Sequence, residues 1–238
     1  MRIKIGLELN YEGRALAWAL DYPGCFSYGT EGPEAVIAMA RALVEYDQWT
    51  AQHHGSDWLS LGDFDLRVVD TWQVYTINES YDLEEGAYAV NAWFLNDWKP
   101  LTQEEVERGL QVLHWSREDL LKLAGALTAE QLDRTYPGER WTIRGILGHV
   151  GGAEWWYLDR MGLAEQKRKE LPQDPFERMA LVRQRLEAAL PELVGQERVV
   201  GKDGEFWSPR KLLRRAAWHD RDHRFHILKL LLQELSLQ

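Results

Sequence analysis

Apolar and polar residues alternate along Arg2–Asn10, with Ile3, Ile5, Leu7 and Leu9 on one side. That is the period-2 pattern of a half-buried strand. Tyr11-Glu12-Gly13 turns the chain and Ala15–Leu20 runs back, so the first twenty residues predict a β-hairpin. Asp21-Tyr22-Pro23-Gly24 is a second turn. From Gly32-Pro33 the period becomes helical, with Val36, Met39, Ala40, Leu43 and Val44 as the apolar face of a helix to about Trp49. His53-His54 follow it, before the turn Gly55-Ser56-Asp57, and are given no role. Asp65–Ile77 then predicts one or two strands, and Tyr88–Phe94 a weaker one. The order ββα followed by β is an α+β pattern.

Beyond Lys99-Pro100 the pattern is helical throughout. Thr102-Gln103-Glu104-Glu105 is a capping box, and the helix it heads runs to about Leu127. Val106, Leu110, Leu113, Leu120, Leu121 and Ala124 form its apolar side. Thr128-Ala129-Glu130-Gln131 is a second capping box, opening a short turn. Thr142 caps a helix to about Met161, and Asp174-Pro175 opens another to about Leu190, before Pro191. A loop with Gly195, Gly201 and Gly204 leads to Ser208-Pro209 and a last long helix to about Leu235. Four long helices predict an up-down four-helix bundle. The expected domains are thus 1–98, α+β with a strand extension, and 101–238, the all-α bundle.

Charge supports that division. Residues 1–100 hold 6 Lys and Arg against 16 Asp and Glu, so the whole net charge of −10 lies there and the remainder balances 22 against 22. Clustered cations for phosphate contacts are missing from that first part, which argues against a nucleic-acid partner. Twelve tryptophans suggest aromatic-rich packing or a pocket wall. The single Cys25 excludes an internal disulfide and fits a reducing compartment; packing explains it better than reactivity, since no basic residue lies close in sequence. Met1–Asn10 has no signal-peptide pattern and no apolar run is long enough for a bilayer, so the expectation is a soluble cytoplasmic protein with no membrane partner.

The last helix carries the candidate chemistry. One stripe collects Leu212, Ala216, His219, His223, His226, Ile227 and Leu230. Imidazoles on an apolar stripe need partners. His219 and His223 are four residues apart, so both rings reach one point beside the helix, the geometry of two ligands of one metal ion. The helix from Thr142 is rich in glycine (Gly145, Gly148, Gly151, Gly152), a residue that admits close approach by a neighbour. His149 lies on its core-facing stripe with Ile146, Ala153 and Trp156. Three metal ligands, or three core histidines bonded to carbonyls or carboxylates, are both consistent with this placement.

Two resemblances bear on the choice. Ile5-Gly6-Leu7-Glu8, then Asp21-Tyr22-Pro23-Gly24-Cys25-Phe26-Ser27-Tyr28-Gly29, then Glu34-Ala35 at a helix start, resemble the HicB antitoxin fold over about the first 50 residues. No DNA-binding tail of that family follows. Trp141-Thr142-Ile143-Arg144-Gly145-Ile146-Leu147-Gly148-His149 with Glu154-Trp155-Trp156 resembles the second helix of the DinB/YfiT-like superfamily. Trp218-His219-Asp220-Arg221-Asp222-His223-Arg224 resembles its last helix. This second resemblance, over about residues 102–236, implies a four-helix bundle, often dimeric, so a homodimer is one expectation. It also implies a divalent ion, commonly nickel or zinc, held by three histidines, here His149, His219 and His223. Relatives include transferases and isomerases that use a low-molecular-weight thiol, and some hydrolases.

Three neutral imidazoles leave a fourth metal position open, where bound water ionises near pH 7 and a thiol is held as thiolate. Thiol transfer to a small electrophile is the leading expectation, and metal-dependent hydrolysis its rival. His226 is the candidate base for hydrolysis, or else hydrogen-bonded packing. Trp156 and His114 are the candidate pocket walls for a small-molecule substrate. A non-catalytic binding or sensor protein, its first domain meeting a partner, is the alternative of a different class.

Overall fold

The alternation of Arg2–Tyr11 forms strand β1, and Arg14–Ala19 forms β2, in a computed structural model that describes residues 1–55 and 58–235. The two strands pair antiparallel, with Ile5 opposite Ala19 and Leu7 opposite Ala17. A third strand, β3 (Phe26–Gly29), pairs with β2. Its four residues are too few to register as an alternation, so the sequence shows only the turn before it. Gly29 is required where β3 meets the next helix: an added Cβ would lie 2.3 Å from the Ala35 nitrogen.

Helix α1 (Gly32–His54) buries Ala35, Met39, Leu43, Tyr46 and Thr50. The expected face was rotated, since Ala40 and Val44 are exposed. Outward-facing Ile37 and Val44 blur the hydrophobic stripe, and packing on the sheet decides between adjacent rows. The helix also continues past Trp49, so His53 and His54 form its last turn and Gly55 ends it in the left-handed conformation at φ 77°. Ser56 and Asp57 of the expected turn lie outside the described residues.

Strand β4 (Asp65–Gln73) runs parallel to β1 and completes a sheet of order β3-β2-β1-β4. Strands β5 (Tyr75–Ile77) and β6 (Tyr88–Val90) make a separate hairpin. The second is shorter than its pattern, because Ala92 and Phe94 sink into the core and Leu95–Trp98 turns as a 3-10 helix. Cys25 is buried with its Sγ 3.9 Å from the Met39 Sδ, a packed position.

The chain divides into two compact units: Met1–Pro100 with Gln196–Arg214, and Leu101–Gly195 with Arg215–Gln238. The sequence expectation gave 101–238 wholly to the bundle, and residues 196–214 depart from it. They form hairpin β7 (Val200–Lys202) and β8 (Glu205–Trp207), where only a glycine loop was predicted, and the opening of α6 (Pro209–Leu235). Buried polar links tie them to the first unit. Glu205 accepts from the Tyr88 hydroxyl at 2.7 Å, the Asn91 N–H at 3.1 Å and the Lys211 ammonium at 2.9 Å. Arg214 donates to Asp97 at 2.7 Å and to the Ala92 carbonyl at 3.1 Å. Such partners are far apart in sequence, and no local pattern announces them.

The second unit is helical. Helix α2 (Gln103–Gly125) starts at the predicted capping box, with Thr102 accepting from the Glu105 N–H and the Glu105 carboxylate from the Thr102 N–H. A short α3 (Ala129–Asp133) follows, then α4 (Ile143–Arg160), capped by Thr142. Helix α5 (Pro175–Glu192) is capped by Asp174 and passes through Pro191, since a proline in the last turn removes few hydrogen bonds. With α6 these make the four-helix bundle. Gly151 lets α4 meet α5 closely, for an added Cβ would lie 3.1 Å from the Met179 nitrogen, whereas Gly152 faces open space. No helix of the described residues is long and apolar enough to cross a membrane.

Candidate metal centre

Two helices bring three histidines to one point. Thr142 fixes where α4 begins, which places His149 two turns in on its inner side. Helix α6 presents His219 and His223 one turn apart. The Nε2 atoms of His219 and His149 are 3.2 Å apart, and those of His223 and His219 are 3.1 Å apart. One ligand atom from each ring lies within 4.8 Å of the others. His219 and His223 are buried and His149 is half-buried.

All three rings are held neutral. Burial pushes His149 down to about 4, helped by the Arg140 and Arg168 charges. Burial likewise pushes His223 down to about 3, helped by His149 and His226, with Asp220 opposing. His219 falls well below its usual range, through burial and then its two histidine neighbours. A neutral imidazole has a single N–H. His219 Nε2 faces two other Nε2 atoms, and one proton cannot serve both contacts well. A divalent cation would accept three lone pairs at once. Two nitrogens about 2.05 Å from a tetrahedral ion stand about 3.3 Å apart, close to the observed spacing. The donor set therefore fits zinc or nickel, both of which take imidazole.

The walls differ in part from expectation. Trp141 stacks on His149 with ring centroids 4.6 Å apart and 22° between planes, while Tyr157 and Trp218 pack against His219. Trp156 instead has the Arg160 guanidinium 4.7 Å over its ring and Tyr157 at its edge. His114 is exposed on α2, which removes the basis for a wall role; its neighbour Trp115 is the one buried. Helical phase alone places a residue to within about 100°, too coarse to choose between neighbours. His226 lies with its ring 6.0 Å from that of His223, and its Nε2 is 3.0 Å from the Glu139 carboxylate.

A second buried cluster went unread in the sequence. Arg117 of α2 bonds Asp220 of α6 at 2.9 and 3.2 Å and Glu154 of α4 at 3.1 Å. Arg183 of α5 bonds Glu154 at 2.8 Å and Asp220 at 2.9 Å. The guanidiniums also donate to the Met179 and Leu113 carbonyls, so all four long helices share one neutral quartet. Burial opposes charge on Asp220, and the two arginines overcome it, holding the carboxyl below its usual range. Burial works against Arg117 too, and Asp220 and Glu154 more than reverse it, raising its guanidinium above the ordinary value. The available signal was Arg117 standing between Leu113 and Leu120 at helical spacing, a charge on an apolar stripe.

No curated protein sequence matches the chain. Among solved structures, YfiT from Bacillus subtilis is similar, at 24% identity over 59% of this chain and 95% of that one, with a TM-score of 0.45. It is described as "a probable metal-dependent hydrolase with an unusual four-helix bundle topology". Residues 113–227, which carry all three histidines and the whole quartet, match the family model of the DinB superfamily.

Proposed function

We propose that the bundle is a metal-dependent enzyme acting on a small molecule, and that it transfers a low-molecular-weight thiol to a small electrophile. The observation that carries this is the convergence of three neutral Nε2 atoms with spacings of 3.1 and 3.2 Å. A divalent ion bound there would supply a Lewis-acid position that favours the deprotonated form of an incoming thiol or water. His149, His219 and His223 would hold it, and the stacked Trp141 fixes the His149 ring plane. The chain's own thiol is packed against Met39 in the first unit, so the nucleophile comes from outside.

Hydrolysis is the second reading, favoured by the His226–Glu139 pair, which gives the site a histidine whose tautomer a carboxylate fixes. The proposal also takes the first unit as HicB-like, supported by its β1-β2-β3-α1 order, and takes the protein as cytoplasmic. The test is metal content of the purified protein by mass spectrometry, then turnover of an electrophile panel with and without added thiol. Thiol-dependent turnover that vanishes in His223→Ala and survives His226→Ala supports transfer. Turnover without thiol that collapses in His226→Ala establishes hydrolysis instead. Absence of metal at stoichiometric supply ends both readings.

A further inference from the structure

Two hairpins of the first unit form a cavity of about 490 Å³. One wall is the loop between β5 and β6, and Asn78 organises it. The Asn78 side-chain oxygen accepts from the Ser80 and Asp82 N–H groups at 2.9 and 3.0 Å, and its amide donates to the Glu84 carboxylate at 3.0 Å. The Thr76 hydroxyl donates to the Glu84 carbonyl. The other wall is the turn between β7 and β8, at Asp203. That turn abuts the first loop: an added Cβ on Gly204 would strike the Ile77 Cδ1 and lie 3.2 Å from the Tyr81 Cδ1. The Tyr88 hydroxyl, donating to Glu205 at 2.7 Å, is a second link between the hairpins. The space between them is therefore fixed by the fold.

The lining has two characters. Ile77, Ala87, Tyr81 and Tyr88 make apolar and aromatic walls. Glu79, Glu84 and Asp203 bring three carboxylates, and no lining residue is basic. Among the described residues, neither Glu79 nor Glu84 forms an ion pair, and the Glu84 carboxylate takes the neutral Asn78 amide. A concave wall of one charge draws in the opposite charge. A bare metal ion would leave most of this volume and the tyrosine rings unused, whereas pockets of roughly 300–1,000 Å³ suit small molecules. An organic cation uses both characters, since its head meets carboxylates and its charge and carbons lie well against aromatic faces.

We propose that this cavity binds a small organic cation, an alkylamine or diamine in its ammonium form. Glu79, Glu84 and Asp203 hold the charged head, and the carbon chain lies against Ile77, Ala87 and the two tyrosine rings. Every lining residue belongs to the first unit, so the inference does not rest on the metal reading above.

The test is calorimetric titration of putrescine, butylamine, uncharged butanediol and calcium chloride into the full chain at about 0.15 M salt. Putrescine and butylamine are expected to bind and butanediol not. Glu79→Gln and Glu84→Gln should each weaken putrescine binding about tenfold, and together more. Ala87→Phe fills the cavity without changing its charge and should abolish binding. Asp65→Asn removes an exposed acid of β4, outside the cavity, and should leave affinity unchanged. Thermal melts check that each variant folds. Absence of putrescine binding, unchanged affinity in the double glutamine variant, or butanediol binding equal to putrescine overturns the site. An equal loss in Asp65→Asn would reduce the effect to overall charge and overturn it too. Calcium bound in place of putrescine would do the same, leaving a site for an inorganic ion.

Discussion

The bundle buries two polar clusters on the same helices, and they are built on opposite principles. In the quartet every charge meets its opposite: Arg117 and Arg183 each contact both Glu154 and Asp220. In the trio three like nitrogens face one another, with no countercharge and too few protons to pair them. The first arrangement is complete as it stands, and desolvation is offset by mutual attraction. The second is satisfied only by something added. Asp220 and His219 are adjacent residues, so one turn of α6 serves both purposes. A closed network marks a fastening of the fold, and an open, uncharged convergence marks a place for a ligand.

The contrast breaks most readily at the quartet. Asp220→Ala leaves two buried guanidiniums sharing the single carboxylate of Glu154 and should lower stability by about 3–5 kcal/mol. Thermal melts should show the loss equally with and without zinc; a loss seen only with zinc would mean that the quartet belongs to the metal centre. His219→Ala should do the converse. Metal-free stability should change little, while zinc affinity falls roughly 100-fold or more, since even residues that merely orient ligands are worth 10–100-fold. The zinc-induced rise in melting temperature would then disappear. A variant still stabilised by zinc would show that the trio is packing.

Acid sharpens the distinction further. In the metal-free protein His149 and His223 have pKa values lowered to about 4 and about 3, against 6.5 unfolded. The unfolded chain then binds more protons, so stability is full above pH 6.5 and falls as pH drops toward 4. The loss should be on the order of 3 kcal/mol for each of the two rings over that window. Chelator-stripped protein melted at pH 7, 5.5 and 4.5 measures it, and a flat profile would place the rings in water. The smallest effects concern the α4–α5 approach that Glu154 and Arg183 span. Gly151→Ala crowds Met179 and should destabilise by about 1–3 kcal/mol, while Gly152→Ala, in open space, should stabilise by up to about 1 kcal/mol.

Much of this was legible in the residues. The hairpin, the four bundle N-caps with their side-chain bonds, and the stripe bearing His219 and His223 follow from local periodicity and capping chemistry. Thr102, Thr142, Asp174 and Ser208 each sit where their side chains accept a backbone N–H within three residues. The walls of the site were not legible. Trp156 and His114 share suitable stretches of sequence with the residues that do pack, and only the rotation of each helix separates them from buried Tyr157 and Trp115, while Trp141 lies before the α4 cap.

Sequence by itself determined the helices and the first hairpin, the candidate ligand type and the register of each histidine on its own helix, because these depend on neighbours a few residues away. Tertiary structure alone decided that Gln196–Arg214 packs with the first unit, that Glu154 pairs with arginines from two other helices, and that Arg140 lies over the ring stacked on His149. The first two depend on buried charges meeting across long stretches of chain. Electrostatic partners are chosen by distance in space, and a linear pattern carries no record of it.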